Sequence, residues 1–169
     1  MNVSMIFRYI SLMMTGLMAG SSFAFVLGMG PAMERLTVGS YIELHQSMET
    51  VFVAWTPFFY LALTLIITTN LFLLRKEWRS LEFVLVAFAL LCILDELVMT
   101  WTGNLPLNRV INSWQMMTPP ADWIEVRSQW VRFMYIRCAL LISGFGLLLA
   151  SSFVMKRSQD SHSSVFVAV

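Results

Sequence analysis

Long apolar runs separated by short polar interruptions dominate the chain. Four runs, at about residues 5–29, 51–74, 81–101 and 133–155, each match the ~20 apolar residues that carry a helix across a hydrocarbon core. Backbone groups in lipid find no water, so each run is expected to be helical. The predicted fold is all-α: an integral membrane four-helix bundle over residues 1–157, with an extended last helix and two extramembrane segments on one face. The Ser-rich residues 158–169 are expected to form a disordered tail. The first run exceeds the ~7–15 residues of a cleaved signal core, so it reads as a retained span.

The interruptions predict how the spans connect. Pro31 is expected to stop the first helix. Ser40 followed by Glu43 reads as a capping box that starts a helix at about Tyr41 and runs straight into the second span. That helix carries His45 and Glu49 on one face. The short link Arg75-Lys76-Glu77-Trp78-Arg79 makes spans two and three an antiparallel hairpin. The longest polar segment runs from about Thr102 to Arg132. Gly103 and Pro106 argue for an irregular turn there. Thr118-Pro119-Pro120 looks like a helix start. A helix from there to Met155, ~36 residues and ~54 Å long, would stand out of the membrane by several turns.

Within the first span, Gly16, Gly20, Ala24 and Gly28 recur every four residues and share a face. Small residues in that register let a second helix approach closely, and the Gly16/Gly20 part offers a route to homo-oligomers.

Composition agrees with lipid as the solvent. Hydrophobic residues make up 58% of the chain and charged residues 12%, against ~25% charged in a soluble domain. The net charge of +1 and the lack of a long basic cluster argue against nucleic acid as a partner. Membrane lipid and a lipophilic small molecule are the expected partners. Cys92 and Cys138 lie in apolar runs and read as small buried hydrophobes. The sequence has no glycine-rich nucleotide loop, GxSxG or HExxH, so no cofactor and no metal are expected. Arg8, Arg75, Lys76, Arg79, Lys156 and Arg157 fall on one side of the membrane. Arg35, Arg109, Arg127, Arg132 and Arg137 fall on the other, with carboxylates to pair them. Both lysines are on the first side, so the termini are expected in the cytoplasm and the protein in the plasma (inner) membrane.

Candidate chemistry gathers toward the opposite side. Asp95 and Glu96 sit within the third run, where charge is costly and must face the bundle or a watery cavity. Arg137 and Arg132 on span four are their natural partners. Asp95, Glu96 and His45 are the catalytic candidates, as general base or as members of a structural pair; His45 titrates nearest neutrality. Trp123, Arg127, Trp130, Met134 and Arg137, spaced 4, 3, 4 and 3, share one face of the last helix. Such a stripe suits a flat anionic or aromatic ligand, by stacking and cation–π contact, or an interfacial belt with salt bridges. Asn104 and Asn108 flank Leu105-Pro106-Leu107, where two amides can tie a turn together.

Three pieces carry a family resemblance. They are Thr15-Gly16-Leu17-Met18-Ala19-Gly20 with Pro31 after it, Gly103-Asn104-Leu105-Pro106-Leu107-Asn108, and Trp123 and Arg127 followed by Trp130 and Arg137. Together they resemble the DUF1772 family of small four-helix membrane proteins, which includes the anthrone oxygenases, over about residues 12–155. The resemblance implies oxidation of an anthrone to an anthraquinone without an obvious cofactor motif. It also implies that Asn104, Asn108, Trp123, Arg127, Trp130 and Arg137 line the mouth of the bundle. The chain departs from the pattern at Met134, where the family often carries His or another polar residue.

Three functions compete on these grounds. One is an anthrone oxygenase-like oxidoreductase acting on a flat lipophilic aromatic or quinone-like substrate. Another is a non-catalytic membrane module that binds a lipid or a partner helix. The third is a small proton-coupled transporter subunit using Asp95 and Glu96.

Overall fold

A computed structural model describes residues 3–167, with side chains through residue 154. The chain forms α1 (Val3–Ala24), a π turn (Phe25–Met29), α2 (Gly30–Glu34), α3 (Val38–Leu73) and a 3₁₀ turn (Arg75–Glu77). It continues through α4 (Leu81–Met99), a second π turn (Thr100–Asn104), α5 (Leu105–Asn112) and α6 (Trp123–Val167). Four continuous helical stretches, Val3–Glu34, Val38–Leu73, Leu81–Asn112 and Trp123–Val154, are long and apolar enough to cross a membrane. In their most apolar windows only 17–22% of residues are buried inside the chain. Most apolar side chains therefore face outward, among them Leu17, Phe58, Leu65, Phe88 and Phe153. Such a surface suits hydrocarbon rather than water. The protein is an all-α integral membrane bundle.

The helices close a ring. α6 packs along α4 and α1, and α3 packs along α1 and α4. Two apolar cores form inside it. Leu63, Ile67, Val86, Ala89, Ile93, Leu141 and Leu148 fill the half nearer the termini. Phe25, Met33, Tyr41, Ile42, Ile111, Trp130 and Val131 fill the far half.

Pro31 does not stop the first helix. The Gly30 N–H bonds to Phe25 O, one residue further back than in an α-helix. Pro31 then sits in the first turn of α2, where a missing N–H costs nothing. The expected irregular turn at Thr102–Arg109 is overturned the same way. Leu105 N–H bonds to Thr100 O across the second π turn, and Pro106 opens α5. Each wide turn absorbs the proline and keeps the chain helical. All four helical stretches, each of at least 32 residues, thus outreach the ~20 residues of a hydrocarbon core, where the sequence foretold it for the second and the last.

The caps also shift. α3 begins at Val38 rather than Tyr41, because Thr37 rather than Ser40 takes the N-cap position and its hydroxyl accepts from the Ser40 N–H. α3 does run unbroken into the second span, past Pro57. Ser80 caps α4 by accepting from Phe83 N–H at 3.1 Å. α6 starts at Trp123, after the Pro119-Pro120 turn rather than at it. Its backbone continues to Val167, through residues expected as a disordered tail, since no Gly or Pro follows Gly146. Residues 168 and 169 of that tail lie outside the described ones.

Candidate functional site

The stripe on α6 turns inward, at the end of the bundle far from the termini. Arg127 is buried and donates to the carbonyls of Met33 (3.2 Å) and Leu36 (3.5 Å). These carbonyls lie where α2 ends, and helix ends leave carbonyls without intrahelical partners. A guanidinium that supplies donors there closes the turn. Its carbon sits 4.7 Å from the Trp123 ring centroid and 5.8 Å from that of Tyr41. Cation–π contact thus holds Arg127 between two rings.

About one turn deeper, Trp130 is the hub. Its Nε1–H donates to Asn108 Oδ1 at 2.6 Å. Phe25 and His45 meet it edge to face, at centroid distances of 5.6 Å and 5.0 Å. The π turns deliver two of its neighbours. The first places Phe25 against the ring; the second places Asn104, whose amide donates to Trp130 O at 3.3 Å. Gly103 makes that approach possible, since a Cβ there would lie 2.5 Å from Phe133. π turns of this kind are frequent at functional sites.

Below Trp130, Arg137 joins three groups. Its Nε donates to Glu96 Oε1 at 2.6 Å, and its Nη1 contacts Asn104 Oδ1 and Met134 Sδ, each at 3.2 Å. Glu96 is fully buried, and Thr100 also donates to its Oε1. Asp95, the neighbouring candidate, points outward and is exposed, as is Arg132. Of the two adjacent carboxylates it is therefore Glu96 that enters the bundle.

His45 is 3% exposed; its ring nitrogens make no hydrogen bond of ordinary geometry among the described residues, and the Asn108 side chain is the polar group beside them. The Tyr41 hydroxyl and Glu49 Oε2 are buried without a partner among the described residues, while the Tyr60 hydroxyl lies beside Glu96 and Arg137. Unpaired buried polar atoms are costly; others, among them Arg8 Nε, Thr15 Oγ1 and Asn70 Nδ2, lie towards the end of the bundle that holds the termini. His45, Asn104, Asn108, Trp123, Arg127, Trp130 and Arg137 thus come together with Glu96, while Asp95 does not. Two open grooves lie on the surface of the bundle, of about 610 Å³ and 420 Å³. The first is lined by Gln46, Glu49, Thr50, Val53 and Asn112, the second by Gln129, Arg132, Phe133 and Ile136.

Along α1 only Gly16 among the small residues packs tightly within the chain, against Phe145. Gly20, Ala24 and Gly28 are exposed. The face α1 turns inward is instead Arg8, Ser11, Thr15 and Ala19. Arg8 is fully buried, pairs with Glu82 and donates to Ser151 O, tying three helices together.

Sequence reasoning missed Tyr41, Phe25 and Tyr60. Tyr41 lies four residues before His45, so the helical period could have found it. Phe25 reaches Trp130 only because of the π turn, which no residue pattern announced.

No curated protein and no solved structure matches the chain. The family model described as anthrone oxygenase matches residues 44–147. That match spans α4, α5, both asparagines and the whole α6 stripe, and takes in more than half of the sequence. The chain belongs to the anthrone oxygenase family.

Proposed function

We propose that the protein is a membrane-embedded oxygenase acting on a flat, lipophilic aromatic substrate of the anthrone type. One observation carries the reading: His45 is a buried imidazole set against the ring of Trp130, with the Asn108 side chain as its polar neighbour. A neutral imidazole offers one acceptor nitrogen. In the proposed reaction His45 takes a proton from the substrate's ring CH₂, leaving a carbanion delocalised onto the carbonyl. Dioxygen adds to that carbon, the second C–H proton leaves, and the O–O bond breaks. One oxygen stays as the new C=O and the other departs as water, so CH₂ and O₂ become C=O and H₂O. The rings of Phe25, Tyr41, Trp123 and Trp130 suit a flat body. The protein acts within the plasma membrane with both termini cytoplasmic, a reading supported by the lysine bias.

The test is turnover of a hydroxylated anthrone by the protein in nanodiscs, followed by oxygen uptake and quinone absorbance. A positioned general base contributes ~10²–10⁴-fold, so His45→Gln is expected to lose at least about 100-fold in kcat with helicity intact. A second reading, a non-catalytic module, is favoured by the arginines, since Arg127 and Arg137 are both committed to protein partners. Equal oxygen uptake with wild type, with His45→Gln and without protein would select it.

A further inference from the structure

The groove between α3 and α5 has an electrostatic character of its own. Gln46, Glu49, Thr50, Val53 and Asn112 line about 610 Å³ of open space. Three of these side chains have their donors spent or have none. The Gln46 amide nitrogen is shared among the carbonyls of Ile111, Asn112 and Trp114, at 3.2–3.4 Å, which closes the end of α5. The Thr50 hydroxyl donates to Ser47 O at 2.8 Å. Glu49 is acceptor-only when ionised, and its Oε2 is buried without a partner among the described residues. Asn112 adds an amide with donors as well as an acceptor, so the lining offers acceptors from Gln46, Glu49, Thr50 and Asn112 around a carboxylate with no ion-pair partner among the described residues. The inward arginines cannot neutralise it, because Arg127 holds the end of α2 and Arg137 holds Glu96. Just past Glu49 on α3, Val51, Phe52, Val53 and Trp55 are exposed. The groove thus opens where the polar end of α3 meets the apolar surface that lipid covers.

We propose that this groove binds the primary ammonium of an aminophospholipid, with Glu49 as counter-ion and the acyl chains lying along the exposed face of α3. An ammonium brings three donors to a ring of acceptors. A choline head brings the same charge and no N–H. The site stands apart from the oxygenase reading, which uses His45 and the α6 stripe.

The experiment reconstitutes the full chain in nanodiscs of phosphatidylcholine doped with phosphatidylethanolamine. Lipid retained after detergent extraction is counted by native mass spectrometry. Retention of the ethanolamine lipid is expected to exceed that of the choline lipid by about tenfold or more, the worth of a charged hydrogen bond. Glu49→Gln is expected to abolish the preference while circular dichroism stays unchanged. Thr50→Val, a change at an exposed position, lowers it several-fold and serves if Glu49→Gln fails to fold. Equal retention of the two lipids, or a preference untouched by both variants, overturns the proposal.

Discussion

At the scale of single residues, two ion pairs among the described residues reach into the bundle, Arg8 with Glu82 and Arg137 with Glu96. Glu96 and Arg137 face each other at 2.6 Å, with the Glu96 side chain fully buried and that of Arg137 14% exposed. A buried pair gains little over an apolar one, but removing one partner strands the other and costs ~3–5 kcal/mol. Glu96→Leu and Arg137→Leu are each expected to destabilise by about that amount. The double variant is expected to recover much of the loss, because no charge is left unpaired. Denaturant unfolding in micelles measures the cycle; additive single losses would deny the coupling. This pairing was legible in sequence as to its partners' helices, since Arg137 lies at the depth of the carboxylates. The choice of Glu96 over Asp95 was not legible. Neighbouring residues differ by about 100° around a helix, and nothing in an apolar run fixes its absolute rotation.

At the scale of elements, the two π turns explain most of what the sequence concealed. Proline and glycine beside an apolar run read as an end, and a one-residue widening of the helix reverses that meaning. The four spans and their order were legible from run length alone, because lipid forces each run to be helical. The extensions of the second and last spans were legible too; those of the first and third, and Phe25's contact with Trp130, were not. The glycines now carry opposite expectations. At Gly103 an added Cβ would meet the Phe133 ring at 2.5–2.7 Å. Gly103→Ala is expected to cost ~1–3 kcal/mol by forcing the second π turn away from α6. At Gly20 nothing lies within 4 Å of a Cβ. Gly20→Ala is expected to be neutral or to gain up to ~1 kcal/mol from helix propensity. Thermal unfolding of the two variants side by side checks the contrast. A loss at Gly20 equal to that at Gly103 would instead mark its open face as a contact with a second helix.

For the whole molecule, the polar site and the two ends of the chain lie at opposite ends of the bundle, and orientation decides which compartment each one meets. The raw balance of positive charge was nearly even in sequence, yet the structure changes the count. Arg8, Arg127 and Arg137 are drawn inside by Glu82, by the end of α2 and by Glu96. They no longer act as free flanking charges. Arg75, Lys76 and Arg79 remain exposed on the side of the termini, where the sequence adds Lys156 and Arg157. Arg35, Arg109 and Arg132 remain exposed on the other. Orientation follows the free lysines and arginines near span ends, so the bias now favours the first side as cytoplasmic. Cysteine labelling in intact cells tests it, after Cys92 and Cys138 are replaced by Ala. Lys76→Cys is expected to resist a membrane-impermeant maleimide until the cells are opened. Gln115→Cys, in the turn between α5 and α6, is expected to label at once. The reverse pattern would put the His45–Trp130 cluster on the cytoplasmic side, and its substrate would then have to be supplied from within the cell.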